Sequence, residues 1–118
     1  MDAKTNTKGP ATVMCTYRVQ AGKEEAFKAL LSRHWPTLNR LGLVTADRPQ
    51  FFSGLDESGK PYFVEIFTWK DAEAPNTAHM NPEVMSVWEP MGALVEERNG
   101  RQSMEFPHVQ PINIPMGS

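Results

Sequence analysis

The sequence predicts an α+β fold, a ferredoxin-like βαββαβ protomer whose antiparallel four-stranded sheet carries two helices on one face. Extended and helical patterns follow the order strand, helix, strand, strand, helix, strand, which is the split βαβ arrangement. The stretch from Tyr62 to Trp69 is also apolar on both sides, which indicates a strand that is covered on both faces. Because two helices cover only one face of such a sheet, a second copy of the chain is expected to cover the other.

The first strand and the first helix are predicted from their periodicity. Residues from Thr12 to Val19 alternate, with apolar side chains on one face. The stretch from Lys23 to about Leu41 has the three-and-four spacing of a helix. Its inward stripe consists of Ala26, Phe27, Leu30, Leu31, His34, Leu38 and Leu41. Pro36 is expected to bend this helix about one turn upstream.

The second and third strands are predicted to form a hairpin. The extended segment from Leu43 to Leu55 contains Asp47-Arg48-Pro49 in its middle, which favours a bulge or a break. A turn at residues 56–59 leads into the strand that ends at Trp69. On that strand one face carries Tyr62, Val64 and Ile66, and the other carries Phe63, Glu65, Phe67 and Trp69.

The second helical region has two start signals. Asp71 can cap a helix directly after the strand, and Asn81-Pro82-Glu83 then suits the start of a further helical segment. The buried face of that segment is predicted to comprise Val84, Val87, Trp88, Met91 and Val95. Pro90 predicts a kink within it.

The chain is expected to be one domain with two extensions. Asn99-Gly100 is a turn signal, and residues 101–109 alternate as a last strand. We expect a disordered lead over residues 1–10, the domain over residues 11–109, and an extended tail over residues 110–118. The tail carries two prolines and three apolar residues, Ile112, Ile114 and Met116, which suit packing along another surface.

Composition excludes several function classes. A net charge of −2 over 118 residues provides no field to attract nucleic acid or an anionic membrane. The strand order is also that of a common RNA-binding sheet, but Pro61, Val64 and Glu65 stand where that module needs other residues. The single cysteine fits a reducing compartment, and neither a secretion signal nor a membrane span is evident. A cytoplasmic protein is the simplest interpretation.

Three motifs resemble the antibiotic-biosynthesis monooxygenase superfamily. They are VQAGKEEAF after the first strand, FVEIFTWKDAEA, and His79 followed by Asn81-Pro82. The resemblance covers roughly residues 12–108. It implies a homodimer of the dimeric α/β-barrel type, with a pocket in each protomer between sheet and helices. It further implies a monooxygenase that needs no cofactor and acts on an electron-rich quinol or other small aromatic molecule.

Two departures from the superfamily disfavour haem degradation, which remains a more remote alternative. Haem-degrading relatives carry an asparagine on the first strand, where this chain has MCTYRV. They also carry an iron-binding histidine well along the second helix, where this chain has Val87-Trp88-Glu89. His79 instead aligns approximately with a pocket tryptophan of those enzymes.

The candidate catalytic residues are His79 and Glu65. His79 matches a histidine common in quinol-type members of the superfamily, and an imidazole could take the proton of a phenolic substrate. The alternative is that it bonds to backbone at a helix junction. Glu65 lies between aromatic residues and is either a buried base or an ion-pair partner of Arg18 on the neighbouring strand.

The candidate substrate-binding residues are His34, Phe67, Trp88 and Arg18. For His34 we favour a satisfied core histidine over a proton carrier in a pocket wall. Phe67 and Trp88 are suited to flank a planar substrate. The histidines lack metal-ligand spacing, so no metal site is expected, and Cys15 is interpreted as a buried, inert thiol.

A non-catalytic dimer that binds a small ligand or serves as a scaffold is the rival to the monooxygenase. It would be favoured if the histidine and the carboxylate were both hydrogen-bonded away from any cavity.

Overall fold

The computed structural model describes residues 9–117, and the predicted α+β class is confirmed. Residues 1–8, most of the predicted lead, lie outside the described residues, as does Ser118. The elements are β1 (Ala11–Tyr17), α1 (Glu24–Arg40), β2 (Gln50–Leu55), β3 (Pro61–Trp69), α2 (Ala74–His79), α3 (Pro82–Gly92), β4 (Met104–Glu105) and β5 (His108–Val109). Within the described part, no helix is long and apolar enough to cross a membrane.

The sheet is antiparallel, with the strand order β2-β3-β1-β4 and with β5 also paired to β1. The expected neighbourhood of the first and third strands is confirmed, because β1 and β3 pair along their length. Their register places Cys15 opposite Glu65 and Tyr17 opposite Phe63. Residues that are opposite each other point to the same face, so these four side chains lie on one side of the sheet.

The hydrophobic core lies between that side of the sheet and the helices. Along β3 every second residue is buried, and β1 alternates in the same way from Val13 to Tyr17. Against these strands pack apolar residues of α1 (Phe27, Leu31 and Leu38) and of α3 (Val84, Val87 and Met91). Most of the two predicted inward stripes thus form a single core, with Leu30, Leu41 and Trp88 half-buried at its border, whereas the prediction for Ala26 is wrong, because that residue is exposed.

The opposite side of the sheet, here called the outer face, is less well covered. It consists of Met14, Thr16, Phe52, Tyr62, Val64 and Ile66. Five of these side chains are only half-buried, and Phe52 is 54% exposed. Gly54 of β2 leaves room for the Tyr62 ring, since an added Cβ would meet that ring at 3.1 Å. The described residues therefore leave an apolar surface on the outer face.

The second helical region consists of two helices, α2 and α3, rather than one. Asp71 Oδ1 accepts hydrogen bonds from the backbone of Glu73 and Ala74, and the chain then turns into α2. Asn81 Oδ1 accepts from the backbone of Glu83 and Val84, as expected for a cap of α3. The helix α3 continues through Pro90 to Gly92.

The two irregular strands differ in how well the sequence indicated them. The predicted break between Leu43 and Leu55 is confirmed, because Val44 forms an isolated bridge to Trp69 and β2 begins only at Gln50. The last strand was predicted as continuous over residues 101–109, which is wrong. It is divided into β4 and β5 at Phe106-Pro107. Pro107 has no N–H to donate to the ladder, although its carbonyl accepts a hydrogen bond from the backbone of Met14.

Residues 110–117 contain neither helix nor strand, and Ile112, Ile114 and Met116 are exposed.

Candidate functional site

A cavity of about 160 Å³ lies between the sheet and the helices. Its lining residues come from β1, α1, β3, α2, α3 and the segment that contains β5. They are Val13, Cys15, His34, Phe67, Trp69, Pro75, His79, Trp88, Phe106 and His108. The lining residues of β1, α1 and β3 are buried, and Pro75 and Trp88 are half-buried. His79, Phe106 and His108 are exposed. The cavity therefore has a buried, largely aromatic inner end and a mouth with two imidazoles.

His34 lies at the inner end and has both ring nitrogens engaged. Helix α1 points it toward the sheet, where it is only 3% exposed. Its Nδ1 lies 3.0 Å from Glu65 Oε1 and 3.1 Å from Oε2. Its Nε2 lies 2.8 Å from the indole Nε1 of Trp88, which donates. His34 is thus a satisfied histidine and a cavity wall residue at once.

Glu65 stands behind His34 and is not part of the cavity wall. It is fully buried in β3, and its Oε1 also accepts a hydrogen bond of 2.6 Å from the Tyr17 hydroxyl. Burial raises the pKa of Tyr17 well above its ordinary value, and the Glu65 charge raises it further. The same two causes raise the pKa of the Cys15 thiol. The Tyr17 hydroxyl and the Cys15 thiol therefore stay protonated. For Cys15 this agrees with the predicted inert, buried thiol.

His79 lies at the mouth, where it is the last residue of α2. Its ring packs edge-on against Trp88, with 4.7 Å between the ring centroids. Phe67 makes a similar edge contact with His34 at 5.6 Å. The predicted site residues His34, Phe67, His79 and Trp88 thus line the same cavity.

Arg18 is placed elsewhere, and the alternative of an Arg18–Glu65 ion pair is wrong. Its guanidinium donates to the Gln102 carbonyl at 2.6 Å and to Glu105 at 3.0 Å. The reason is register, since Cys15 is the residue opposite Glu65 and Arg18 lies three positions further along the chain. An odd displacement along an extended strand turns a side chain toward the other face. Arg18 therefore fastens the segment around β4 instead of reaching the cavity.

Sequence reasoning did not identify Tyr17, Phe106 and His108 as parts of this region. Tyr17 could have been found, because alternation places it on the face of Val13 and Cys15 and the neighbouring strand brings Glu65 close. His108 and Phe106 gave no such signal, since the break before β5 decides which way they point. All three histidines of the sequence line the cavity, yet no group of described His, Cys, Asp or Glu residues could hold a metal ion.

A larger depression of about 340 Å³ lies at the edge of the sheet between α1 and β2. It is lined by Lys28, Leu31, Ser32, Phe51, Phe52, Ser53 and Phe63. Lys28 is its one ionisable residue, and that residue forms an exposed ion pair with Glu25. It is an open apolar groove without an acid–base pair, so the smaller cavity is the better candidate for chemistry.

Comparison with known proteins yields matches only at the level of structure. No family model matches the sequence, and no curated protein does. SnoaB, a cofactor-independent oxygenase from Streptomyces nogalater, is 15% identical with a TM-score of 0.64, over 90% of this chain and 96% of that protein. A Nitrosomonas europaea protein assigned to the antibiotic biosynthesis monooxygenases is 11% identical with a TM-score of 0.65, over 89% and 92%. One from Bordetella bronchiseptica is 14% identical with a TM-score of 0.62, over 89% and 99%.

The structural likeness extends over nearly the whole length of each of these proteins. The expected resemblance to the antibiotic-biosynthesis monooxygenases is therefore confirmed for the fold. Identities of this size carry the scaffold and not the reaction, so the activity has to be argued from the cavity itself.

Proposed function

We propose that this chain is a cofactor-independent monooxygenase that oxidises a single-ring quinol or a similar small phenol. The observation that carries the proposal is the aromatic cavity of about 160 Å³ with imidazoles at its inner end and its mouth. An engineered cavity of about 150 Å³ in another protein accepts benzene, so this volume suits one ring. Haem is several times larger, which adds to the sequence arguments against haem degradation.

The reaction requires oxygen as the only co-reactant. A quinol and O2 give a hydroxyquinone and water: one oxygen atom is inserted at a ring carbon, and the other leaves as water. The ring loses four electrons, which reduce both oxygen atoms. Removal of a phenolic proton makes the ring electron-rich enough to react, which is the step that a protein base would promote.

We assign to His79 the role of the base that accepts the phenolic proton at the mouth of the cavity. Its imidazole lines the cavity yet is exposed, so a proton taken from the substrate can pass directly to solvent. Imidazole is the side chain suited to such transfer near neutral pH. Trp88 and Phe67 line the cavity and would flank the ring in this scheme, while Glu65, which is not part of the lining, would act through His34 and not by touching substrate. Arg18 has no role in this scheme.

The test is oxygen consumption with a panel of hydroquinones, measured with an oxygen electrode and corrected for spontaneous oxidation. We expect uptake with single-ring quinols, little with two-ring quinols, and a loss of about tenfold or more in His79→Ala, since general base catalysis contributes at least that much. Met80→Ala is the matched control, because Met80 is the next residue, is 83% exposed and does not line the cavity. Prior dialysis against EDTA should change nothing.

Product analysis separates monooxygenation from simple oxidation. With ¹⁸O2 the quinone should gain one labelled atom, and added catalase should return no oxygen. Release of hydrogen peroxide in place of labelled quinone would contradict the proposal, as would a wild-type protein that consumes no oxygen with any quinol.

A non-catalytic ligand-binding protein is the second candidate. It is favoured by the closed hydrogen-bond network, in which Glu65 and both nitrogens of His34 already have partners. Under this alternative the wild type would bind small phenols by calorimetry and consume no oxygen.

We also propose that the protein works as a homodimer in the cytoplasm. The outer face of the sheet is apolar and half-exposed in one protomer, and a twofold pairing of identical faces would bury it. The single cysteine, buried in β1, is compatible with a reducing compartment.

A further inference from the structure

The hydrogen bonds around His34 allow only one arrangement of protons. An indole N–H can only donate, so His34 Nε2 must present its lone pair to Trp88. A neutral imidazole that accepts at Nε2 carries its proton on Nδ1, which therefore donates to Glu65. Glu65 thus accepts from both His34 and Tyr17. Trp88 and Glu65 together fix the tautomer of His34.

This arrangement places a proton acceptor at the inner end of the cavity and covers it with a donor. The Nε2 lone pair is the one basic site of the neutral ring, and Trp88 occupies it at 2.8 Å. A ligand hydroxyl can reach that lone pair only by taking the place of the indole N–H. Trp88 is half-buried and forms part of the cavity wall, so the two groups are accessible together from the cavity.

We propose that His34 and Trp88 form a site for the inner hydroxyl of a quinol whose second hydroxyl faces His79. This inference rests on the proposed function and specifies its substrate as a ring with hydroxyl groups at opposite ends. The inner O–H donates to Nε2 of His34, and the displaced N–H of Trp88 donates to the same oxygen. An oxygen that bonds to both nitrogens lies about 2.8–3.0 Å from each, so the indole N–H has to turn away from its present position 2.8 Å from Nε2.

The pair also favours ionisation of the bound hydroxyl. When the O–H proton moves to Nε2, the resulting imidazolium lies 3.0 Å from the buried Glu65 carboxylate. The negative charge left on the oxygen receives the Trp88 N–H, a hydrogen bond that is stronger to an anion than to a neutral oxygen. A ketone or an ether at this position could accept from Trp88 but would leave the lone pair of His34 without a donor. The site therefore selects a phenol.

The test uses 4-nitrophenol, a single-ring phenol whose ionisation is visible as a yellow absorption. On binding to the wild type at a pH below its own midpoint, its ionised fraction is expected to rise. In Trp88→Phe the ionisation constant of the bound phenol should fall by about tenfold or more, as expected for a lost hydrogen bond to a charged group. Affinity for the neutral form should stay equal or increase, because no indole competes for His34.

Two further variants serve as controls. Trp35→Phe makes the same change at the residue that follows His34 on α1, and Trp35 does not line the cavity. It removes an indole N–H that has no hydrogen-bond partner among the described residues. This variant should behave as the wild type. His79→Ala should retain the ionisation, because the inner site does not use His79. Loss of ionisation in His79→Ala, or equal behaviour of Trp88→Phe and Trp35→Phe, would overturn the inference.

A measurement on the wild type alone covers the case in which Trp88→Phe fails to fold. With ¹⁵N-labelled histidine, the ring nitrogens of His34 should change from one protonated nitrogen to two when 4-nitrophenol binds, and no such change should occur with 4-nitroanisole. An unchanged spectrum with both ligands would refute the site. Ionisation without oxygen uptake from any quinol would leave the site standing and remove the monooxygenase proposal. Oxygen uptake from a quinol by a wild type that does not ionise bound 4-nitrophenol would remove the site and leave the monooxygenase proposal standing.

Discussion

At the scale of single residues, Glu65 is the side chain on which the inner end of the cavity depends. It is fully buried, and the two groups it binds come from different elements: Tyr17 from β1 and His34 from α1. A carboxylate in such a place is stabilised only by the donors that surround it. Glu65 therefore acts as a positioning residue, since it orients His34 and balances any charge that His34 acquires.

Replacing Glu65 by glutamine should separate these roles. In E65Q the amide oxygen can take the place of Oε1 and still accept from Tyr17 and His34, but the N–H2 group then replaces Oε2 as the second acceptor for His34 Nδ1, and the negative charge is lost. We expect kcat with a quinol to fall about tenfold or more with KM within about threefold, because the charged state of His34 loses its partner. The ionised fraction of bound 4-nitrophenol should fall in parallel.

Tyr17→Phe is the matched control for that prediction. It removes the other hydrogen bond to Glu65 and leaves His34 untouched. We expect a loss of about 1–3 kcal/mol in the free energy of unfolding, the usual cost of disturbing a buried hydrogen bond, with kcat changed little. Equal loss of kcat in both variants would show that Glu65 serves only the packing of the core.

The sequence indicated the faces of the elements better than the contacts between them. Helical spacing put His34 on the inward stripe of α1, and alternation put Phe67 beside Glu65 on β3. However, the hydrogen bonds that define the site join residues 31, 48 and 54 positions apart. Such contacts depend on strand register and on side-chain rotamers, which no local pattern records. The same limitation explains why Arg18 was considered as a partner of Glu65.

At the scale of elements, the β2–β3 hairpin is fixed by one buried arginine. Arg98 is 7% exposed and donates to Asp56 in the hairpin turn, to the Pro61 carbonyl and to the Val19 carbonyl. Asp56 in turn accepts from the backbone of Ser58 and Lys60. The turn, the start of β3 and the end of the β1 segment are thereby held together by a single side chain.

This arrangement predicts a pH dependence of stability. Hydrogen bonds from the backbone of Lys60, together with the Arg98 guanidinium, lower the pKa of Asp56 below its ordinary 3.8. A lowered folded-state pKa stabilises the fold above the ordinary value, and this contribution is lost as the pH falls through the folded pKa. In Asp56→Asn the free energy of unfolding, from urea titrations, should therefore be lower at neutral pH and should decline less below about pH 4.

Glu57→Gln is the matched control, since Glu57 is the next residue, is exposed and changes the net charge equally. A pH profile of Asp56→Asn that coincides with that of Glu57→Gln would contradict a specific role of the Asp56–Arg98 contact. Arg98 itself gave no signal in the sequence, because a lone arginine after a helix is usually exposed. Its burial follows from carbonyls of distant segments that converge on it.

At the scale of the whole molecule, residues 9–117 form a core on one side of the sheet only. The helices α1, α2 and α3 pack on that side, which contains Glu65 and the cavity. The other side carries the outer face, with Ile66 between Met14 of β1 and Gln50 of β2. Strand alternation, together with the small number of predicted helices, predicted this imbalance. It could not predict how a second copy would sit on the face, because that depends on the twist of the sheet and on the exposed tail.

The homodimer is tested most directly by a charge in the middle of the outer face. Wild-type protein at micromolar concentration should scatter light as a particle of twice the 13.3 kDa chain mass. Ile66→Lys should shift it toward the monomer, because a twofold interface would bury the introduced ammonium close to its copy on the other chain. The matched control Ala29→Lys introduces the same charge at an exposed position of α1 and should remain dimeric. A wild type of 13.3 kDa, or identical masses for the two variants, would mean that the outer face is not the interface.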